Sequence, residues 1–303
     1  MTSRTERGAL VALLEDRPSG VTWRQIADDV GDEGSAVQVY RRLFSPDLFT
    51  PSDSLGSRFE KAAQQIDGWQ AEGLGVHTLL DATYPRQLRD VLHMPPIVFT
   101  RGTLADDGDR RAVAIVGSRR PSRNGVAIAS RLAAGLGERG FTIVSGGAAG
   151  IDSAAHSAAL AADARTVAVV GTGIRRCYPP ENRDLFDRVA ASGMILSQFW
   201  PDAPPSKHTF PMRNAVMSGY VTATVVVEAS EHSGTRIQAR NAVEHGRPVL
   251  FTEHVVRATA WARGMVDQPG VHVVTGLTEV LDVLAQSEDS TSALHRLLGT
   301  VSR

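Results

Sequence analysis

The residues best suited to chemistry in this chain are arginines set where strands give way to helices. The stretch "IVGSRRPSRNG" (115–125) places Gly117 and Ser118 ahead of Arg119, Arg120 and Arg123. A glycine turn lets a ligand approach the backbone, and the free N–H groups at a helix start attract anions. Ser118 or Ser122 is the candidate cap of that helix. The functional reading is a phosphate site; the bland one is a solvated arginine loop. In "PPSKHTFPMRNAVMSG" (204–219), Lys207, His208 and Arg213 gather around Phe210 ahead of a helix. Basic groups hold phosphates and an aromatic ring stacks on a base. The alternative is an ordinary loop over a buried Phe210. In "VVVEASEHSGTRIQARNAVEHGR" (225–247), Ser233 and Gly234 open another helix, with Arg236 and Arg240 one turn apart.

A second kind of site is nearly bare of side chain. "VSGGAAGIDSAAH" (144–156) holds three glycines and four alanines around Asp152 and His156. Ser145, Gly146 and Gly147 can form a nest of backbone donors. Asp152 is expected as the N-cap of the next helix, with His156 one turn later as a packed histidine. "GTGIRRCYPPEN" (171–182) is a third glycine loop, matching a dinucleotide fingerprint only in its first half. Its Tyr178 reads as part of a stiff turn or as a stacking platform. No Ser-His-Asp order, paired carboxylates or metal-ligand cluster stands out, so neither catalysis nor a metal is expected.

Composition narrows the classes further. The 303 residues carry 42% hydrophobic and 21% charged residues, an ordinary globular balance with a net charge of −1. There is no long apolar run for a membrane span and no signal-peptide pattern at the N-terminus. Cys177 is the single cysteine, so no internal disulfide forms, and a cytoplasmic setting without membrane contact is expected.

The elements that must hold these residues follow from periodicity. Short β-branched runs at 112–117, 141–147, 166–171, 194–199, 222–229, 248–252 and 271–274 alternate with helical stretches at 122–139, 152–163, 181–192, 233–246 and 276–286. Alternation of this kind predicts an α/β fold: a doubly wound, mainly parallel sheet covered on both faces, with ligands at the carboxyl ends of its strands. Residues 1–75 read as a small helical N-terminal module, with "FSPDLFTPSDSLGS" (44–57) as a loop within it. Residues 76–110 read as a bridge (strand, Tyr-Pro turn, short helix, strand), 111–286 as the core, and 287–303 as a C-terminal tail that frays or docks as a short helix.

"VGSRRPSRNG", "SGGAAGIDSAAH", "GTGIRRCYPPEN", "FPMRN" and "VVVEASEHSGTRIQARNA" occur together in this order. This set resembles the DNA-processing protein A family (DprA, also called Smf) over roughly residues 75–285. The resemblance implies a Rossmann-like core that binds single-stranded DNA without catalysis or cofactor. It further implies a homodimer that helps load a RecA-type recombinase in natural transformation and homologous recombination. The family's phosphate-binding arginine after "VGS" carries over to Arg119, its basic residues around "FPxRN" to Lys207 and Arg213 beside Asn214, and its glycine loop to Ser145, Gly146 and Gly147.

The chain also departs from that pattern. Ala215 stands where a further arginine is common, Arg236 where an apolar residue is usual, and Arg175 where an acidic one is. Ala149 stands where a bulkier or basic residue is common. The winged-helix module of many members is expected to be absent, which makes this a diverged member. The rearranged basic residues leave a second reading open, a nucleotide-binding sensor of the wider Rossmann-like superfamily. A nucleotide hydrolase is disfavoured, because no glutamate follows the Gly234-Thr235 pair at the expected place.

Overall fold

All seven β-branched runs form parallel strands, and six of them have a neighbouring strand on both sides. The computed structural model describes residues 2–44, 52–89, 91–92, 94–105 and 109–288. Its sheet has nine strands in the order β1-β2-β6-β5-β4-β3-β7-β8-β9. These are β1 (Gly75–Thr78), β2 (Ile97–Gly102), β3 (Ala112–Gly117), β4 (Thr142–Ser145), β5 (Thr166–Val169), β6 (Met194–Ser197), β7 (Ala223–Glu228), β8 (Val249–Thr252) and β9 (Val271–Val274). Strands β3 to β9 pair in parallel, and β1 and β2 add antiparallel at one edge. The expected strands are thus present, and the stretch read as a bridge forms two strands of the same sheet.

Helices cover both faces, as a parallel sheet requires. On one face α5 (Arg123–Gly137), α6 (Ile151–Ala161) and α12 (277–288) bury Leu132, Leu136, Ile151 and Leu284 against Ile115, Ile143 and Val225. On the other lie α7 (Arg183–Ser192), α8 (Thr209–Tyr220), α9 (Thr235–Glu244) and α10 (Glu253–Ala258), followed by α11 (Ala260–Arg263). The sequence reading contained neither α10 nor α11, whose helical spans of six and four residues are too short to show a 3.6-residue period.

The N-terminal helices are α1 (Arg4–Asp16), α2 (Trp23–Glu33), α3 (Ala36–Leu43) and α4 (Ser52–Ala71). Ser3, Thr22 and Ser35 cap the first three, and Thr22 forms a full capping box with Gln25. Glu6 reaches from α1 to accept hydrogen bonds from the Ala36 and Val37 amides, fixing the start of α3. The unit is continuous with the main core. Trp69 stacks edge-on to Phe99 of β2, and Trp23 meets Trp200 at 5.2 Å between ring centroids. Each fully buried Leu or Ile there contributes roughly 2 kcal/mol.

Two local expectations are corrected. The segment 44–57 is not a loop throughout: α4 begins at Ser52, because Phe59, Ala62, Ala63 and Ile66 recur at helical spacing and bury together. Residues 45–51 lie outside the described residues, as do 289–303, where most of the expected tail falls. Asp152 is not an N-cap. Gly150 takes that position with φ +84°, and a Cβ there would collide with the Ser118 carbonyl. Asp152 instead sits in the first turn and accepts a hydrogen bond from the Ala148 amide.

Candidate functional site

The chain runs β3, β4, β5, β6 outward in one direction, then returns to lay β7 on the free side of β3. At that reversal the loops after β3 and β7 diverge and leave a crevice at their carboxyl ends, where open α/β sheets bind ligands. The crevice here is a cleft of about 620 Å³. Of the residues expected at a site, Gly117, Ser118, Arg119, Arg213, Asn214, Ser233 and Gly234 line it, together with Arg120, Phe210 and Asp152. Four segments far apart in sequence therefore converge.

Backbone bonds hold the loop that carries Arg119 and Arg120. The Ser118 amide donates to the Glu228 carbonyl at 2.7 Å, and the Ile151 amide donates to the Ser118 carbonyl at 3.1 Å. Ser122 caps α5, as expected of one of two serines. The start of α5 is not an open anion site, however. The Glu228 carboxylate accepts from the Ser122 amide at 2.9 Å and from its hydroxyl at 2.6 Å, so the protein's own anion satisfies the helix end. Arg119 and Arg120 project from this clamp and are exposed.

Arg213 is held quite differently. It is 6% exposed. Its Nη1 donates to the Gly146 and Val169 carbonyls at the ends of β4 and β5, and its Nε donates to Asn214 at 3.0 Å. Gly146 is required here, since a Cβ would occupy the guanidinium position. Burial lowers the Arg213 pKa and nearby Asp152 opposes this. Burial likewise raises the Asp152 carboxyl, with Arg213 pulling it back. His156 lies beneath, fully buried, with Nδ1 2.7 Å from the Thr166 hydroxyl. That hydroxyl donates to the Ile143 carbonyl, so His156 must carry its proton on Nδ1, and burial depresses its pKa to about 4. The packed-histidine reading holds.

An aromatic pair borders the cleft. Phe210 and Tyr178 lie 5.7 Å apart between centroids at 43°, and the Arg119 guanidinium sits 5.4 Å over the Phe210 ring. Tyr178 is 41% exposed, so part of its side chain is open to solvent. Between them and the glycine loop lies a smaller slot of about 100 Å³, lined by Gly146, Gly171 and Arg213 among others. The two cavities share Arg119, Ala148, Phe210 and Arg213.

The opposite wall comes from α9 and the loop before it. Asn214 donates to the Gly234 carbonyl, and Ser233 accepts from the Thr235 amide. Sequence reasoning missed Gln238, buried on this wall, and Ser230 and His232 on the rim. It also missed what holds the rim: the Glu231 carboxylate accepts from the Ala260 amide at 2.8 Å, and Trp261 donates to the Ser230 carbonyl. The only local signal for this was Trp261 itself.

The remaining expected residues fall elsewhere. Ser145 is fully buried and donates to the Ile115 carbonyl, and Gly147 packs against the Phe186 ring, so both support the site from below. Lys207 is exposed in the turn before α8, at the same end of the sheet but outside the cleft lining. Arg236 is half-buried in the first turn of α9, also outside the lining, with no hydrogen-bond partner for its Nε among the described residues. No cluster of metal-ligating side chains occurs among the described residues, and no described helix is long and apolar enough to cross a membrane.

Known proteins are similar to this chain in sequence and fold. Protein Smf of Synechocystis is 42% identical over 173 residues, covering 56% of this chain and 44% of that protein. The DNA processing protein DprA of Bacillus subtilis is 33% identical over 192 residues, covering 63% of this chain and 65% of that one. The chain thus spans about half to two thirds of the length of these relatives. The crystal structure of DNA processing protein A from Streptococcus pneumoniae superposes with a TM-score of 0.69 at 28% identity, covering 93% of this chain and 98% of that one. A Helicobacter pylori DNA processing protein A, described for its single-stranded DNA binding mode, superposes with a TM-score of 0.62 at 24% identity, covering 70% and 96% of the two chains, which bears on fold alone. The family model described as DNA recombination-mediator protein A matches residues 75–285, the whole sheet with its cleft, and this chain therefore belongs to that family.

Proposed function

We propose that the chain binds single-stranded DNA without catalysis and acts as a recombination mediator. It would work as a cytoplasmic homodimer that helps load a RecA-type recombinase. One observation carries this reading: exposed Arg119 and Arg120 stand at the switch-point cleft beside the Phe210–Tyr178 pair. Cations that track phosphates, next to ring faces that stack on bases, form the general apparatus for gripping a single strand. Arg213 contributes from the floor by shaping the glycine loop, and Lys207 extends the positive charge along α8's approach. Membership of the DNA recombination-mediator protein A family supports the same reading.

The test is fluorescence anisotropy of a labelled oligo-dT strand over a salt series, with duplex and mononucleotide competitors. Binding that weakens with salt and resists duplex supports the proposal. Failure to bind at low salt sinks it. The cleft's volume of about 620 Å³ favours one second reading, a nucleotide sensor, since small-molecule sites are about 300–1,000 Å³. Displacement of the strand by a mononucleotide at micromolar concentration would select that reading.

A further inference from the structure

An acidic side chain lines the cleft proposed to take a phosphate. Asp152 is 6% exposed and borders the same cavity as Arg119, Arg120 and Arg213. Among the described residues it makes no direct ion pair. The Ala148 amide, at 3.2 Å, is its backbone donor, with Ser145 close by. A carboxylate in such a place opposes an incoming phosphate, and a buried carboxyl near a second anion gains proton affinity.

We propose that Asp152 is the proton-exchanging residue of the cleft: a phosphate entering beside Arg119 and Arg213 drives the Asp152 carboxylate to take up a proton from solvent, so ligand binding tightens as pH falls. The inference rests on the cleft being a phosphate site. The proton adds to the carboxylate oxygen, the side chain becomes neutral, and the local repulsion disappears.

The surroundings isolate this group. From α8 it faces Arg213 and from the β3–α5 loop Arg119; both pull its proton affinity down against the larger effect of burial, which raises it. A bound phosphate draws on those same two cations and so adds to the effect of burial. From β4 it meets Ser145, which does not titrate. On its own helix the nearby titratable group is His156, neutral and beneath the cleft. The face of α5 packed on α6 offers Ala129, Leu132 and Ala133, and α7 offers Phe186 and Val189. Two further charged or titratable side chains line the cavity, Arg120 and the rim residue His232, both exposed. A phosphate charge held in the same cavity repels the carboxylate and raises its proton affinity further.

The experiment measures affinity of the full chain for oligo-dT from pH 7.5 to 5.5 at constant ionic strength, in wild type, Asp152→Asn and His232→Gln. Asparagine keeps an acceptor for the Ala148 amide. Wild type and His232→Gln are expected to tighten about three- to tenfold across the range. Asp152→Asn is expected to bind more tightly than wild type at pH 7.5 and to lose that pH dependence. A purely structural Asp152 would change stability and leave the pH slope intact. A flat wild-type profile, or a slope kept in Asp152→Asn and lost in His232→Gln, overturns the proposal. If Asp152→Asn does not fold, calorimetry of His232→Gln in two buffers of different ionisation enthalpy counts the protons directly; no uptake overturns the proposal. If oligo-dT does not bind, the DNA reading fails, and the same count is made with a nucleoside monophosphate. Proton uptake there supports the role of Asp152, and no uptake or no binding overturns it.

Discussion

Replacing Arg119 with alanine should remove one phosphate contact and leave the fold intact. The side chain is exposed and its guanidinium carbon lies 5.4 Å from the centroid of the Phe210 ring. An exposed cation–π contact is worth about 0.5–1 kcal/mol, so the melting temperature should fall by no more than about 3 °C. On a single strand each neutralised phosphate adds about −0.7 to the slope of log affinity against log salt. One phosphate each on exposed Arg119, Arg120 and Lys207 gives a slope of about −2.1. A rise from about 50 to about 200 mM salt then weakens wild-type binding about 18-fold. In Arg119→Ala the slope becomes about −1.4 and the same step costs about 7-fold. Anisotropy titrations of oligo-dT at four salt concentrations measure both slopes, and a thermal melt checks the fold. An unchanged slope with unchanged affinity would refute the assignment. A melting temperature lowered by ten degrees would show that Arg119 is structural.

Other substitutions should separate stacking, positioning and pH effects. Phe210→Ala should weaken strand binding by about 1–3 kcal/mol with little change in salt slope, because it removes a ring face and no charge; a changed slope at constant affinity would contradict this. Arg213→Ala leaves the Gly146 and Val169 carbonyls without their donor, and should destabilise the fold by about 3 kcal/mol in urea unfolding. An Arg213→Ala protein as stable as wild type would mean the buried guanidinium is not holding those strand ends. His156 is neutral when folded, with a pKa of about 4 against 6.5 for the free side chain. Between those values the unfolded chain binds the extra proton, so this contribution is complete above pH 6.5 and is lost as pH falls to about 4. The loss is about 3 kcal/mol, and His156→Gln should show a shallower decline in unfolding free energy between pH 7 and 5 than wild type.

The helices and strands of the core are legible because their signals are local. A run such as Val113–Val116 reads as a buried strand wherever it occurs, and Ser122 caps the helix three residues from Gly125. The same locality explains the failures. Segment 44–57 looks like a loop because serine, proline and aspartate crowd it, yet the α4 stripe that begins beyond it extends the helix back to Ser52. Gly150 takes the cap from Asp152 because the Ser118 carbonyl leaves no room for a side chain, and that carbonyl comes from another loop.

For the site, the order of motifs along the chain identifies the family and the end of the sheet at which a ligand binds. Which charges face the ligand is a tertiary matter. Arg119 and Arg213 look equivalent as basic residues near helix starts, but one is exposed on a clamped loop and the other is buried against two strand ends. The anion-attracting start of α5 is taken by Glu228, 106 residues away in sequence. Charge type and helix propensity belong to each residue and its near neighbours. Burial and pairing of charge depend on which distant segments the sheet order brings together, and no local pattern encodes that order.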